Sequence, residues 1–575
     1  MNKKIVTIKD FSKGCETDVN KGSFYFSQNI KFNGNHPYIV SEDKLFKEDV
    51  TDLLHLGEIM GSTYFNSMQY ACNMDDSGGT ITGGVLRYQD PWVNAHTNTK
   101  GATVGIFGDS NVIGATETGV LYYMSNTHIG RASVSGQYSI NYKDDWQTLK
   151  VSNNYNPMPI TKFLKFICFA NMNYLAIWDI GASSFDDDRL ILPDGYIIKW
   201  MKTTTDYLII GANHPVLGGI IVLWDGISTT YNSVIQLGLT KTLGCDVQNN
   251  VCYIIDDDGW ISSLAGGSTV MNKLARIPDT EDNTINLNIY ADAVKFYNGK
   301  LVFGMANNYS SAEKRSMYCG LWEYDPITNA VYFKNTVSSG ACFNYATGYG
   351  IDNIRSVMID KSYNQDLRVA WNNYDESFID CNRYLSRRSY SEGIFLITNW
   401  IDGGTATRKR FMNVILNMMK ELPNSSQAKV IVKYCDTENI NKLVKIANGG
   451  GSNYFTLTIA NSFYVNVGDE VQVVGGTGAG KIVNIISKEL SGTNYKFTVD
   501  SSGTSFSNTS VLLISEFKVI GEPIIGNEYF ESSKLLKFHC RAKKIRLKIC
   551  LFANSFNVGI SDISAILAED KIIKI

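Results

Sequence analysis

The run Asp206-Tyr207-Leu208-Ile209-Ile210-Gly211-Ala212, followed by Gly219-Ile220-Ile221-Val222-Leu223-Trp224-Asp225-Gly226, sets out one repeating unit. It reads as strand, glycine-bearing connection, strand, Trp-acid pair, turn. Asn298-Gly299-Lys300-Leu301-Val302-Phe303-Gly304-Met305 and Cys319-Gly320-Leu321-Trp322-Glu323-Tyr324-Asp325-Pro326 repeat the order. Tyr174-Leu175-Ala176-Ile177-Trp178-Asp179 is a partial third copy, and Val251 to Ile255 before Asp258-Gly259-Trp260 a fourth. Between residues 101 and 130, Ala102 to Phe107, Asn111 to Ala115 and Val120 to Met124 read as three successive strands. Short β-branched and aromatic runs bounded by Gly, Asn and Asp are strands and turns. One such unit cannot bury both faces alone, and stacking units around an axis does so. Recurrence every ~40–60 residues therefore predicts a β-propeller of five to seven irregular blades. A pair of β-sandwiches is the competing architecture.

Outward from the repeats, the all-β pattern continues. The propeller is expected over residues 51–404 and a β-sandwich over 405–444 plus 516–575, with a small β-barrel inserted at 445–515. Lys544-Ile545-Arg546-Leu547-Lys548-Ile549-Cys550-Leu551 alternates basic and apolar residues, as a strand with one solvated face does. Arg408 to Leu422 has helical propensity, but Phe411, Asn413, Ile415 and Asn417 alternate, and Lys429 to Tyr434 follows in kind, which favours strands. Lys47 to Ile59 is the one earlier stretch that invites a helix. Residues 1–50 read as an extended leader docking on the body, with a single apolar stretch from Gly22 to Ile30.

Composition agrees and excludes several classes. The chain has 575 residues, too many for one core, with 44% hydrophobic, 12% aromatic and 19% charged residues. A net charge of -3 argues against a generally basic nucleic-acid binder. No apolar run reaches the ~20 residues of a membrane-spanning helix, and the start is too short in its apolar part for a signal peptide. The 11 cysteines are scattered without a CxxC pair, which suits reduced core thiols better than disulfides or zinc.

Motifs that suggest chemistry fall short of it. Gly475-Gly476-Thr477-Gly478-Ala479-Gly480-Lys481 fits the letters of a phosphate-binding loop. Ile482 stands where a magnesium-ligating hydroxyl belongs, and the following residues alternate as a strand where the mechanism needs a helix. Asp186-Asp187-Asp188 and Asp256-Asp257-Asp258 lack calcium-loop spacing and read as turns. Trp178-Asp179 and Trp224-Asp225 lack a Gly-His partner and read as aromatic caps on strands. For glycosidic chemistry Asp375, Glu376 and Asp380 are present without a means of pairing them. The basic clusters Arg387-Arg388, Arg408-Lys409-Arg410 and Arg541 to Lys548 read as strand faces or protein contacts rather than specific nucleic-acid sites. No catalytic, cofactor-binding or metal-ligating residue is assigned, no cofactor is expected, and the chain is read as a non-enzyme.

Three segments carry a resemblance. Ile8-Lys9-Asp10-Phe11-Ser12-Lys13-Gly14 with Phe26-Ser27-Gln28-Asn29-Ile30 is similar to the "DFSGG" and "S-x-N" openings of tailed-bacteriophage tail proteins. Gly468-Asp469-Glu470-Val471 through Gly475 to Gly480 and on to Val499-Asp500 resembles the "GTGAGQ" barrel insert of phage tail and fibre proteins, with Lys481 in place of the polar residue after the last glycine. Ala542 to Ile549 and Phe411 to Leu416 resemble the sandwich that follows a propeller in such proteins. The resemblance implies a structural protein of the virion tail, at the tip, nozzle or fibre-attachment region, assembled in the host cytoplasm. Its partners would be other tail proteins and copies of itself in a ring. The alternatives are a host-receptor or glycan-binding tail protein, using Trp146, Trp371 or Trp400 as sugar platforms, and a propeller glycan hydrolase or lyase.

Overall fold

Strands built from these runs dominate the protein, seen here in a computed structural model. It describes residues 3–9, 11–15, 23–32, 39–41, 45–48, 58–75, 82–88, 92–98, 101–109, 119–125, 128–133, 138–143, 157–278, 287–307, 320–335, 337, 353–359, 366–372, 377–382, 394–404, 407–418, 422, 429–436, 441–446, 450–462, 465, 467, 470–475, 477, 482–500, 505–515, 517–525, 533–552 and 559–569. The chain forms two bodies. One comprises Phe46–Ala306 and Asn353–Arg383, the other Met1–Leu45, Asn307–Asp352 and Tyr384–Ile575.

The first body is a β-propeller. Its innermost strands are Glu58–Phe65, Gly105–Asp109, Ile160–Phe163, Ile197–Thr203, Thr242–Gln248, Val294–Tyr297 and Asn353–Ile359. Each neighbours the next, and Asn353–Ile359 returns to Glu58–Phe65, which closes a ring of seven. From the first five, antiparallel four-stranded sheets run outward in chain order. The seventh blade takes its outer strand from far upstream: Phe46–Lys47 pairs with Ser377–Cys381. Joining the two ends of the ring in one sheet removes the edge that an open array would leave.

Burial follows position within a blade. Gly218–Trp224 is buried throughout, because neighbouring blades cover both faces. The outer strand Ser184–Ile191, holding the Asp186-Asp187-Asp188 run, alternates exposed and half-buried positions for most of its length. Four inner strands carry a bulge near their start, at Ile59/Gly61, Ile198/Trp200, Thr242/Gly244 and Ile354/Ser356. Bulges sharpen the local twist that each blade needs. Residues 49–57 lie outside the described set, and the ends of the stretch considered for a helix are strands at Phe46–Lys47 and from Glu58. Asn111 to Ala115 also lies outside it.

In the second body a β-sandwich encloses one core. Its first sheet runs Ser533–Ala542, Lys409–Met418, Gly559–Glu569, Ile39–Ser41, Ile30–Phe32, with Lys3–Ile8 also on Gly559–Glu569. Its second runs Phe26–Gln28, Ile394–Ile397, Arg546–Phe552, Lys429–Cys435, Lys518–Val519. Phe411, Val414, Leu416, Val430, Val432, Leu547, Ile549, Ile563 and Leu567 fill the space between, joined by Phe11, Phe24 and Ile30 from the leader. The leader strands are thus members of both sheets, and Ile394–Ile397 belongs to the sandwich rather than to a blade.

The insert is a seven-stranded sheet in the order Asn441–Lys445, Val511–Ser515, Glu470–Gly475, Ile482–Ser491, Asn494–Val499, Tyr454–Thr458, Gly450–Gly451. Phe455 stacks on Phe497 at 5.3 Å inside it, among Val471, Val483 and Leu512. The segment after residues 475–481 is the strand Ile482–Ser491, where a nucleotide loop needs a helix.

Candidate functional site

Polar contacts between inner strands ring the axis of the propeller. Gly108 N donates to Thr63 Oγ1 at 3.1 Å, and Lys162 pairs with Asp109 at 2.6 Å. Lys202 pairs with Asp246 at 2.9 Å, and the other Asp246 oxygen accepts from Phe296 N at 2.7 Å. Asp292 accepts from Ser62, Ser356 and Lys295 at 2.7, 2.5 and 2.6 Å, and Arg355 pairs with Glu58 at 2.7 Å. Burial alone would push the Lys202 ammonium down, but Asp246 beside it reverses this and holds it above the ordinary lysine range. Burial opposes ionisation of Asp246 as well, and Lys202 and Lys295 together hold its carboxyl low. Several of these pairs link one inner strand to the next, and removing one partner would leave the other charge uncompensated.

At one rim the link between the fourth and fifth blades meets the acidic turn. Asp256 accepts from Trp260 N at 2.9 Å, Asp257 from Lys241 N at 2.7 Å and Asp258 from Thr240 Oγ1 at 3.0 Å. Each carboxylate has a protein partner, so the run is a turn stitched to its neighbour. Burial, with the charges of Asp258 and Asp257 adding, raises the Asp256 carboxyl to about 6 against the pull of Trp260 N–H. Beside this turn, Val216 N and Leu217 N both donate to His214 Nδ1 at 3.0 Å. That turn leaves Val216 and Leu217 exposed, and Leu239 on the adjoining loop is 82% exposed. Gly218, at φ +82°, lies so close to Gly238 O that no Cβ fits.

The Trp-acid pairs have a shared local purpose. Asp179 accepts from the N–H groups of Gly181 and Ala182, and Asp225 from those of Ile227 and Ser228. In the second body Asp325, three residues after Trp322, accepts from Ile327 and Thr328 in the same i+2, i+3 pattern, whereas Glu323, the acid next to Trp322, pairs with Lys334 at 3.3 Å. The carboxylate closes the hairpin, while Trp224 and Trp322 are fully buried.

Other residues singled out in the sequence are dispersed. Asp380 is wholly buried, and Asp375 and Glu376 lie outside the described residues. Trp371 is 2% exposed, which removes it as a sugar platform, and Trp146 lies outside the described residues. Trp400 is half-buried under Lys544 and Arg546. Lys409 is fully buried, with Nζ donating to Thr407 O at 2.7 Å and Lys543 O at 3.0 Å, so it presents no charge to a ligand. Arg387-Arg388 lies outside the described residues. The described cysteines are free, and all except Cys540 are buried. No group of three or more His, Cys, Asp or Glu among the described residues is placed to hold a metal, and no helix among them is long and apolar enough to cross a membrane.

Sequence reasoning missed the axial ring, because its partners are 44 to 53 residues apart in cases such as Lys202–Asp246 and Lys162–Asp109. No short motif can show such pairs.

No protein-family model and no curated protein matches the chain. Among solved structures, the WD40 β-propeller domain of Doa1 is similar at 12% identity over 58% of this chain and 96% of that one, with a TM-score of 0.38. The computationally designed Ika8 protein is similar at 11% identity over 62% and 96%, TM-score 0.36. The extracellular domain of a hybrid two-component system from B. thetaiotaomicron is similar at 10% identity over 79% and 47%, TM-score 0.41. Likeness at this level carries no functional argument.

Proposed function

We propose that this chain is a structural component of a tailed-bacteriophage virion. It is a tail protein of the tip, nozzle or fibre-attachment region that assembles through contacts with other tail proteins and with copies of itself in a ring. The observation that carries this reading is the leader. Phe11, Phe26, Ser27, Asn29 and Ile30, which make the resemblance to phage tail openings, are all buried. Tyr332 donates its hydroxyl to Ser12 O at 2.9 Å, and Phe26 packs on Trp322, Phe333 and Phe395. The motif is thus a built-in part of a β body, as a structural role in a virion part would need. Rigid edge-protected sheets and an axis lined by paired charges support an architectural role over a catalytic one.

Quantitative mass spectrometry of purified particles tests the proposal. The chain should be present in a fixed small number of copies relative to the other tail proteins. Its absence from particles, together with a monodisperse monomer in the lysate, would sink the reading.

A further inference from the structure

Arg546 opens the strand Arg546–Phe552 on the second sandwich sheet and is 6% exposed. Its guanidinium carbon lies 3.7 Å from the ring centre of Tyr25 and 4.3 Å from that of Trp400. Lys544 Nζ lies 4.1 Å from the same indole. Among the described residues no carboxylate and no carbonyl bonds to Arg546, and its Nε is sealed from solvent without an acceptor. A guanidinium carries five donors and keeps its charge at any ordinary pH, so a buried one is normally met by a carboxylate or phosphate. Stacking on aromatic rings stabilises the charge but satisfies none of those donors.

The surroundings are fixed in place. Ile401 and Ile545 exchange backbone hydrogen bonds of 2.8 and 3.1 Å, which sets Trp400 beside Arg546. Tyr25 N donates to Ile397 O at 3.0 Å, which sets the second ring. A site organised in advance spends little binding energy on ordering.

We propose that Tyr25, Trp400, Lys544 and Arg546 form a binding site for the carboxylate of an Asp or Glu side chain on a partner polypeptide. Stacking on Tyr25 and Trp400 leaves the guanidinium N–H groups to be met by an acceptor, and a planar carboxylate on the partner would take those that reach the 6% of Arg546 left open to solvent. Lys544 adds a second positive charge. Trp400 already carries both cations on its ring, which disfavours a pyranose stacked there. The site goes beyond the virion role and is tested on the isolated full-length chain, so its failure leaves that role untouched.

The test follows Trp400 fluorescence, with Trp400→Phe as the blank, during titration with an acetylated Glu-Glu dipeptide, its Gln-Gln counterpart and glucuronate. The expected result is a saturable change with Glu-Glu, none with Gln-Gln, and at least tenfold weaker binding in Arg546→Gln. Lys544→Gln, at a more exposed position, should weaken binding several-fold and serves if Arg546→Gln does not fold by circular dichroism. No saturable change with Glu-Glu, or equal affinity in both variants, would overturn the proposal. Tighter binding of glucuronate than of Glu-Glu would overturn it too, by assigning the site to an acidic sugar.

Discussion

Asp225 accepts four hydrogen bonds within one hairpin: from Ile227 N, Ser228 N, Ser228 Oγ and Asn232 Nδ2. The N–H of Ser228 is the largest influence holding this carboxyl well below the usual range, against a smaller opposing effect of burial. A carboxyl depressed on folding adds stability above its unfolded value and loses it as pH falls through the folded value. Asp225→Ala should therefore lower the melting temperature at pH 7, and the deficit should shrink on acidification. Thermal melts across pH 2 to 7 check this. Asp256 has the opposite sign. Burial raises its carboxyl to about 6, above the ~3.9 of an unfolded aspartate. The protein should thus lose stability from this group as pH rises from 4 through 6, and Asp256→Asn should flatten that window in the same melts. Packing offers a third test. Trp200 lies across Gly211 so closely that a Cβ there would meet its ring at 2.1 Å, and its indole N–H donates to Thr242 Oγ1 on the next blade at 2.8 Å. Gly211→Ala should cost about 1–3 kcal/mol in urea denaturation. The Trp-Asp pairs were visible in the sequence as strand caps, because turn chemistry is local. The raised Asp256 was not, because its burial comes from chain folded around it.

At the scale of elements, closure of the propeller depends on a segment that sequence pattern hardly marks. Phe46–Lys47 is two residues long and has no period to read. Behind it, Glu48 receives Arg368 Nε at 3.1 Å on each oxygen and Trp92 Nε1 at 2.9 Å, with the guanidinium 3.9 Å from the Tyr88 ring centre. Arg368 is 1% exposed, and although Asp366 lies 3.9 Å away, removing Glu48 takes the nearer carboxylate from a buried charge. Glu48→Ala should cost about 3–5 kcal/mol, read as a shift in the denaturation midpoint of the propeller, and Glu48→Gln less. The leader is a similar case. Its apolar stretch was legible, but the sheets it joins were not, since Lys3–Ile8 pairs with residues 563–568 at the far end of the chain. Longer strands were easier: Lys409–Met418 and Lys429–Cys435 lie where alternation placed them, despite helical propensity in the first.

For the whole molecule, seven inner strands in a ring refine the expected five to seven blades, and the sheets follow the density of short strands in the sequence. Blade number was beyond the sequence because the repeat is irregular and one blade borrows its last strand from upstream. A near-neutral chain with few charges suits a subunit that packs against others, since little like-charge repulsion opposes assembly. A single-particle map of the intact tail tests the virion role most directly. The expected result is a cyclic set of densities on the tail axis, each accommodating a seven-bladed propeller and a β-sandwich with its seven-stranded insert. A complete tail map with every density assigned to other chains, and no place for this one, would contradict it.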